Sequence, residues 1–199
     1  MRAYKRFDKR AFTLVELMIV VAIIGVLAAL AIYGVRKYLA SAKTSEAKNT
    51  VGAITRGAAA AYERETVASQ IVAEGSNSSA ASNALCFTAT AVPSGFVPKG
   101  NKYQPNTSEG KDFETGDTVT GWKCLKFTLT QPIYYQYSYR FASVQTKAPT
   151  TGANYFEASA IGDIDSDGVF SSFARTGAVN TSTGQLVLAT QLYVENEFE

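Results

Sequence analysis

The 199-residue chain contains no histidine. That removes the commonest general base near neutral pH and the commonest zinc ligand. It also has no G-x-S-x-G motif, no glycine-rich phosphate loop and no His/Cys cluster with metal-ligand spacing, so the sequence predicts no enzyme. Charge is scarce, at 18% of residues, and the net charge is only +2. No basic stripe stands out, and no specific nucleic acid is expected as a partner. Cysteine appears only at Cys86 and Cys124. Proline is missing from residues 36–67, where alanine is abundant, so nothing there interrupts a helix.

The scarcity of charge is most marked over residues 12–35, FTLVELMIVVAIIGVLAALAIYGV, where Glu16 is the only charged residue among 24. A helix needs about 20 apolar residues to cross a bilayer, and this run is long enough. An ionised carboxylate in such a segment must find a partner or take up a proton. Residues 1–11 carry Arg2, Lys5, Arg6, Lys9 and Arg10 against Asp8, a net of +4. The remainder is therefore −2, from +2 less +4. The basic character belongs to that leader and predicts a cytoplasmic position for it.

Three ordinary readings compete for the apolar run. An ordinary secretory signal would use the small-x-small site at Ala29-Leu30-Ala31, but its apolar core would be only about 7–15 residues and would not contain Glu16. A plain single-span anchor accounts for the length but not for the carboxylate. A buried core helix fits poorly with a segment that is apolar on all faces and followed by a polar stretch.

The basic leader, the Phe12 start, Glu16 and the uninterrupted apolar run resemble the amino terminus of type IV prepilins, of the type IVa branch. They also resemble the related pseudopilins of type II secretion. The resemblance covers residues 10–32. It implies cleavage between Ala11 and Phe12 by a prepilin peptidase and methylation of the new amino group of Phe12. It also implies that Glu16 faces the Phe12 amine of a neighbouring subunit and so sets filament register. A pair within one chain, one helical turn apart, is the alternative. Two positions depart from the usual pattern. Ala11 stands where Gly is usual, and Tyr33-Gly34 where a Pro is frequent.

The expected fold class is α+β: a long N-terminal helix, half apolar and half amphipathic, packed on an antiparallel β-sheet head. Residues 1–11 are expected as a removed leader, 12–35 as the membrane and filament-core helix, 36–68 as the amphipathic half, and 69–199 as a loop-rich β head. Val51, Ile54, Ala58, Ala61 and Tyr62 recur at helical spacing as a buried stripe, with Lys48, Arg56 and Glu63 on the opposite face. Gly25 and Gly34 bracket a segment able to loosen outside the bilayer. Residues 75–84 read as a polar loop, and 85–117 as an irregular connection. Strands are expected at 121–129, 133–141, 155–161, 169–174 and 185–194. In the second, Ile133, Tyr135, Tyr137, Tyr139 and Phe141 share a face. That face reads as core in preference to a platform for sugars or electrons.

Two further features concern ligands and covalent chemistry. The head is expected outside the cytoplasm, and an oxidising compartment favours pairing Cys86 with Cys124 over two free buried thiols. Asp163-Ile164-Asp165-Ser166-Asp167-Gly168 is the first half of a calcium loop, but the twelfth position is Ala174. A tight acidic turn without metal is the alternative, because Asp-Gly favours turns. No cofactor is required, and calcium on Asp163, Asp165 and Asp167 is the one candidate.

By resemblance, the chain is expected to be a structural pilus subunit. It would be stored in the inner membrane with its N-terminus cytoplasmic, then polymerised into an extracellular filament. Its partners would be copies of itself, the prepilin peptidase, the inner-membrane platform, the outer-membrane channel and minor pilins. A pseudopilin or a minor pilin is the nearest alternative. A membrane-anchored ligand-binding module is the alternative from another class. A head beginning near residue 69 exceeds the usual major pseudopilin head and favours a pilin.

Overall fold

The computed structural model describes residues 12–64 and 83–199. The leader, the end of the expected helix at 65–68 and most of the polar loop at 75–84 lie outside the described residues. The chain divides into two units, at Met1–Ala40 and Ser41–Glu199. Helix α1 (Leu14–Glu63) contributes to both and is continuous through Gly25, Gly34, Gly52 and Gly57.

In the first unit every side chain from 12 to 39 is exposed. The helix there is long and apolar enough to cross a membrane, and none of its most apolar stretch is buried. Leaving so many large apolar side chains uncovered costs about 25 cal/mol per Å2 in water. The segment is therefore built to be covered by something outside its own chain.

The second unit is an α+β domain. Its sheet comprises β1 (Ala89–Val92), β2 (Gln136–Phe141), β3 (Tyr155–Gly162), β4 (Ser171–Val179), β5 (Leu186–Leu188) and β6 (Tyr193–Glu195). All pairings are antiparallel, in the order β1-β2-β3-β4-β5, with β6 also on β4. The α1 residues Ala47, Val51, Ile54, Ala58, Ala61 and Tyr62 share one apolar core with Tyr135, Tyr137, Tyr139, Phe156 and Phe173. Small residues alternate with the rings. A Cβ on Gly162 would lie 2.5 Å from the Tyr135 ring, and one on Gly177 2.5 Å from the Phe156 ring. Polar groups at the core edge are matched. Glu46 accepts from the Tyr134 N–H at 3.1 Å and the Tyr137 hydroxyl at 3.3 Å, and the Tyr62 hydroxyl donates to the Gly184 carbonyl at 2.6 Å. Lys48, expected on the solvent face, reaches Glu197 at 2.5 Å.

The opposite sheet face is polar yet buried. Glu157 is fully buried and accepts from the Gln145 N–H at 2.7 Å, the Thr146 N–H at 3.2 Å and the Thr146 hydroxyl at 2.6 Å. The segment around Gln145 and Thr146 thus caps this face, and Glu157 meets its backbone donors.

Three expectations are corrected. Residues 121–129 are not a strand. Gly121–Leu125 form the short helix α2, closed by Lys126 at φ 51, whose N–H donates to the carbonyls of Lys123 and Trp122. Trp122, Cys124 and Leu125 are buried at a spacing that fits a helical turn as well as alternation. Residues 185–194 are two short strands, β5 and β6, both paired with β4. The fourth strand starts at Ser171 and runs on to Val179, beyond the expected Ala174, because β3 offers partners as far as Tyr155.

Candidate functional site

The N-terminal feature is built by the start of α1. Thr13 is the last residue before the helix, and Glu16 lies in its first turn. The Glu16 carboxylate accepts from the Thr13 N–H at 2.9 Å and from the Thr13 hydroxyl at 2.8 Å, while the Glu16 N–H donates to Thr13 Oγ1 at 3.2 Å. This is a reciprocal capping box, which satisfies amide donors that a helix start leaves open. The sequence reading missed Thr13, although the T-x-x-E spacing ahead of an apolar run was a legible signal. Phe12 is exposed, and Ala11 lies outside the described residues. The only acid in the apolar run is therefore fixed at its first turn, beside the position of the expected cut.

In the head, a disulfide joins Cys86 to Cys124, with Cα atoms 5.9 Å apart and 38 residues between them in sequence number. Both cysteines are buried beside Trp122 and Tyr139, and the Tyr139 hydroxyl donates to the Cys86 carbonyl at 3.2 Å. Tyr135, Tyr137 and Tyr139 are fully buried, and burial is the main cause that holds all three phenols well above their usual value. They serve the core and have no open face for a ligand.

Asp163, Asp165 and Asp167 come together just past β3. One carboxylate oxygen from each lies within 4.8 Å of the others. Asp163 is buried, while Asp165 and Asp167 are exposed. Ser166 and Gly168 take positive φ, at 68° and 94°, in the turn that carries them.

The prokaryotic N-terminal methylation motif matches residues 6–32. This is a type IV pilin-like amino terminus. The chain is 60% identical over 45 residues to the type IV major pilin PilA of Myxococcus xanthus, a match covering 23% of this chain and 20% of that protein. It is 48% identical over 54 residues to the fimbrial protein EcpC of Eikenella corrodens, covering 27% of this chain and 35% of that protein. The chain thus spans about a fifth to a third of the length of these curated pilin relatives. No solved structure matches it. Glu16 and Thr13 fall inside the methylation motif, whereas the disulfide and the acidic loop lie outside it.

Proposed function

We propose that the chain is the structural subunit of an extracellular type IV pilus. The carrying observation is a single carboxylate, held at the first turn of a helix whose stretch to residue 35 is exposed, apolar and otherwise uncharged, inside a methylation motif. Cleavage between Ala11 and Phe12 creates an amine that the peptidase methylates, and the apolar helix anchors the subunit in the inner membrane until it is drawn into a filament. Other copies then cover the side chains that the isolated chain exposes. In that apolar packing the Phe12 amine is a buried cation, and Glu16 of a neighbouring subunit is its partner. Leaving such a charge unpaired costs about 3–5 kcal/mol. The pilus machinery (platform, channel and minor pilins) handles the same helix.

The test separates the charge of Glu16 from its capping. Glu16→Ala removes both. Glu16→Gln keeps an acceptor for the Thr13 N–H, since Gln also serves a capping box, but removes the charge. Both variants are expected to insert in the membrane at normal levels and to form no filaments visible by electron microscopy of sheared cells. Filaments at normal yield from Glu16→Gln would overturn the charge pairing, and sheared surface filaments that lack this chain would overturn the pilus reading.

A further inference from the structure

The acidic loop holds a group that nothing among the described residues answers. The Asp163 side chain is fully buried. Its Oδ2 accepts from the Gly168 N–H at 3.1 Å, and Lys99 Nζ lies 3.9 Å from the same oxygen. Oδ1 has no hydrogen-bond donor among the described residues. A buried polar atom left without a partner costs about 1–3 kcal/mol, and more when it is charged. The carboxylate that carries this oxygen is turned toward Asp165 and Asp167. Of the three carboxylates Lys99 pairs with Asp163 alone, at 3.9 Å, and is itself more than half exposed.

The loop cannot easily open to relieve this repulsion. The Gly100 N–H donates to the Asp163 carbonyl at 2.7 Å, and the Asp163 N–H donates to the Pro98 carbonyl at 3.3 Å. Gly100 has φ 64, and a Cβ there would lie 2.5 Å from Ser166 Oγ. The neighbouring strand is equally fixed. The twelfth position of a standard calcium loop, Ala174, is buried in β4 opposite Ser159 and Tyr193 and offers no acid.

We propose that Asp163, Asp165 and Asp167 bind one calcium ion. The ion gives Asp163 Oδ1 its missing partner and offsets the repulsion among the carboxylates. Calcium fits the donor set, because it takes six to eight oxygens in a flexible shell, and the exposed side of the loop leaves room for water. The Val169 carbonyl, at the loop's seventh position, is the main-chain ligand.

The test uses the full chain in detergent, stripped with chelator, and follows equilibrium dialysis against radioactive calcium together with thermal melting. One ion should bind per chain with a Kd of roughly 10⁻⁴–10⁻³ M, as in extracellular modules, and the melting midpoint should rise with calcium. The double variant Asp165→Ala, Asp167→Ala, at exposed positions, removes two oxygen ligands and should abolish both effects. No saturable binding at about 5 mM calcium, or unchanged binding by the double variant, would overturn the site. Binding is measured on unassembled subunits, so failure here does not bear on the pilus reading.

Discussion

The three buried tyrosines of β2 set the response of the head to alkali. Tyr135, Tyr137 and Tyr139 have phenols raised chiefly by burial, with the Glu46 charge adding to the effect at Tyr137. A phenol whose folded pKa exceeds its unfolded value of about 10 stabilises the fold fully below that value, and the contribution fades as pH rises above it. The melting midpoint is therefore expected to fall steadily above pH ~10. Absorbance of phenolate should show some of the 11 tyrosines ionising only as the head unfolds. Ionisation of every tyrosine near pH ~10 without loss of structure would contradict the burial account. At this scale the sequence was informative where residue type and spacing coincide. Glu16 is conspicuous as a lone charge, and the aromatic face of residues 133–141 alternates cleanly. Glu157 was not legible. Its partners, Gln145 and Thr146, come from a loop whose position depends on tertiary packing.

Among the elements, the least regular region is held by covalent and local constraints. The disulfide ties the segment before β1 to helix α2, and around it Phe113 packs edge to face on Trp122 at 5.0 Å and on Phe127 at 5.6 Å, with Trp122 and Phe127 tilted against each other. Between Cys86 and Cys124 the regular structure amounts to β1, one 3-10 turn and most of α2. The constraint on the unfolded chain should matter there. Chain-entropy reasoning for this loop gives about 4 kcal/mol. The double variant Cys86→Ser, Cys124→Ser is expected to lose stability of that order in urea unfolding of the detergent-solubilised chain. An unchanged unfolding midpoint would show that packing alone holds the segment. The amphipathic stripe of α1 and strand β3 were readable because their periods are long and unbroken. The span at 121–129 was not, because a short apolar run carries both periods at once, and the close approach of Gly116 to Gly121 that shapes it is a tertiary contact. The split of residues 185–194 into β5 and β6 follows from their pairing with different parts of β4, which no local pattern encodes.

For the molecule as a whole, the two units have opposite relations to water. The described residues of the second unit bury a shared core and satisfy most of their buried polar side chains internally. Residues 12–39 expose nearly all their apolar surface and satisfy their one carboxylate locally through Thr13. Under the proposed function that surface is covered by a membrane before assembly and by other copies of the helix afterward, and the methylation motif at residues 6–32 is where processing would act. Removing residues 1–11 would take away a net +4 and leave −2. It would also place a new cation one helical turn from Glu16. The central claim is therefore a covalent one, and intact mass of the surface-exposed protein tests it directly. The account predicts a chain beginning at Phe12, carrying one N-methyl group and retaining the Cys86–Cys124 bridge. A chain that keeps its leader, or one that begins at Ile32 after the Ala29-Leu30-Ala31 site, would contradict it.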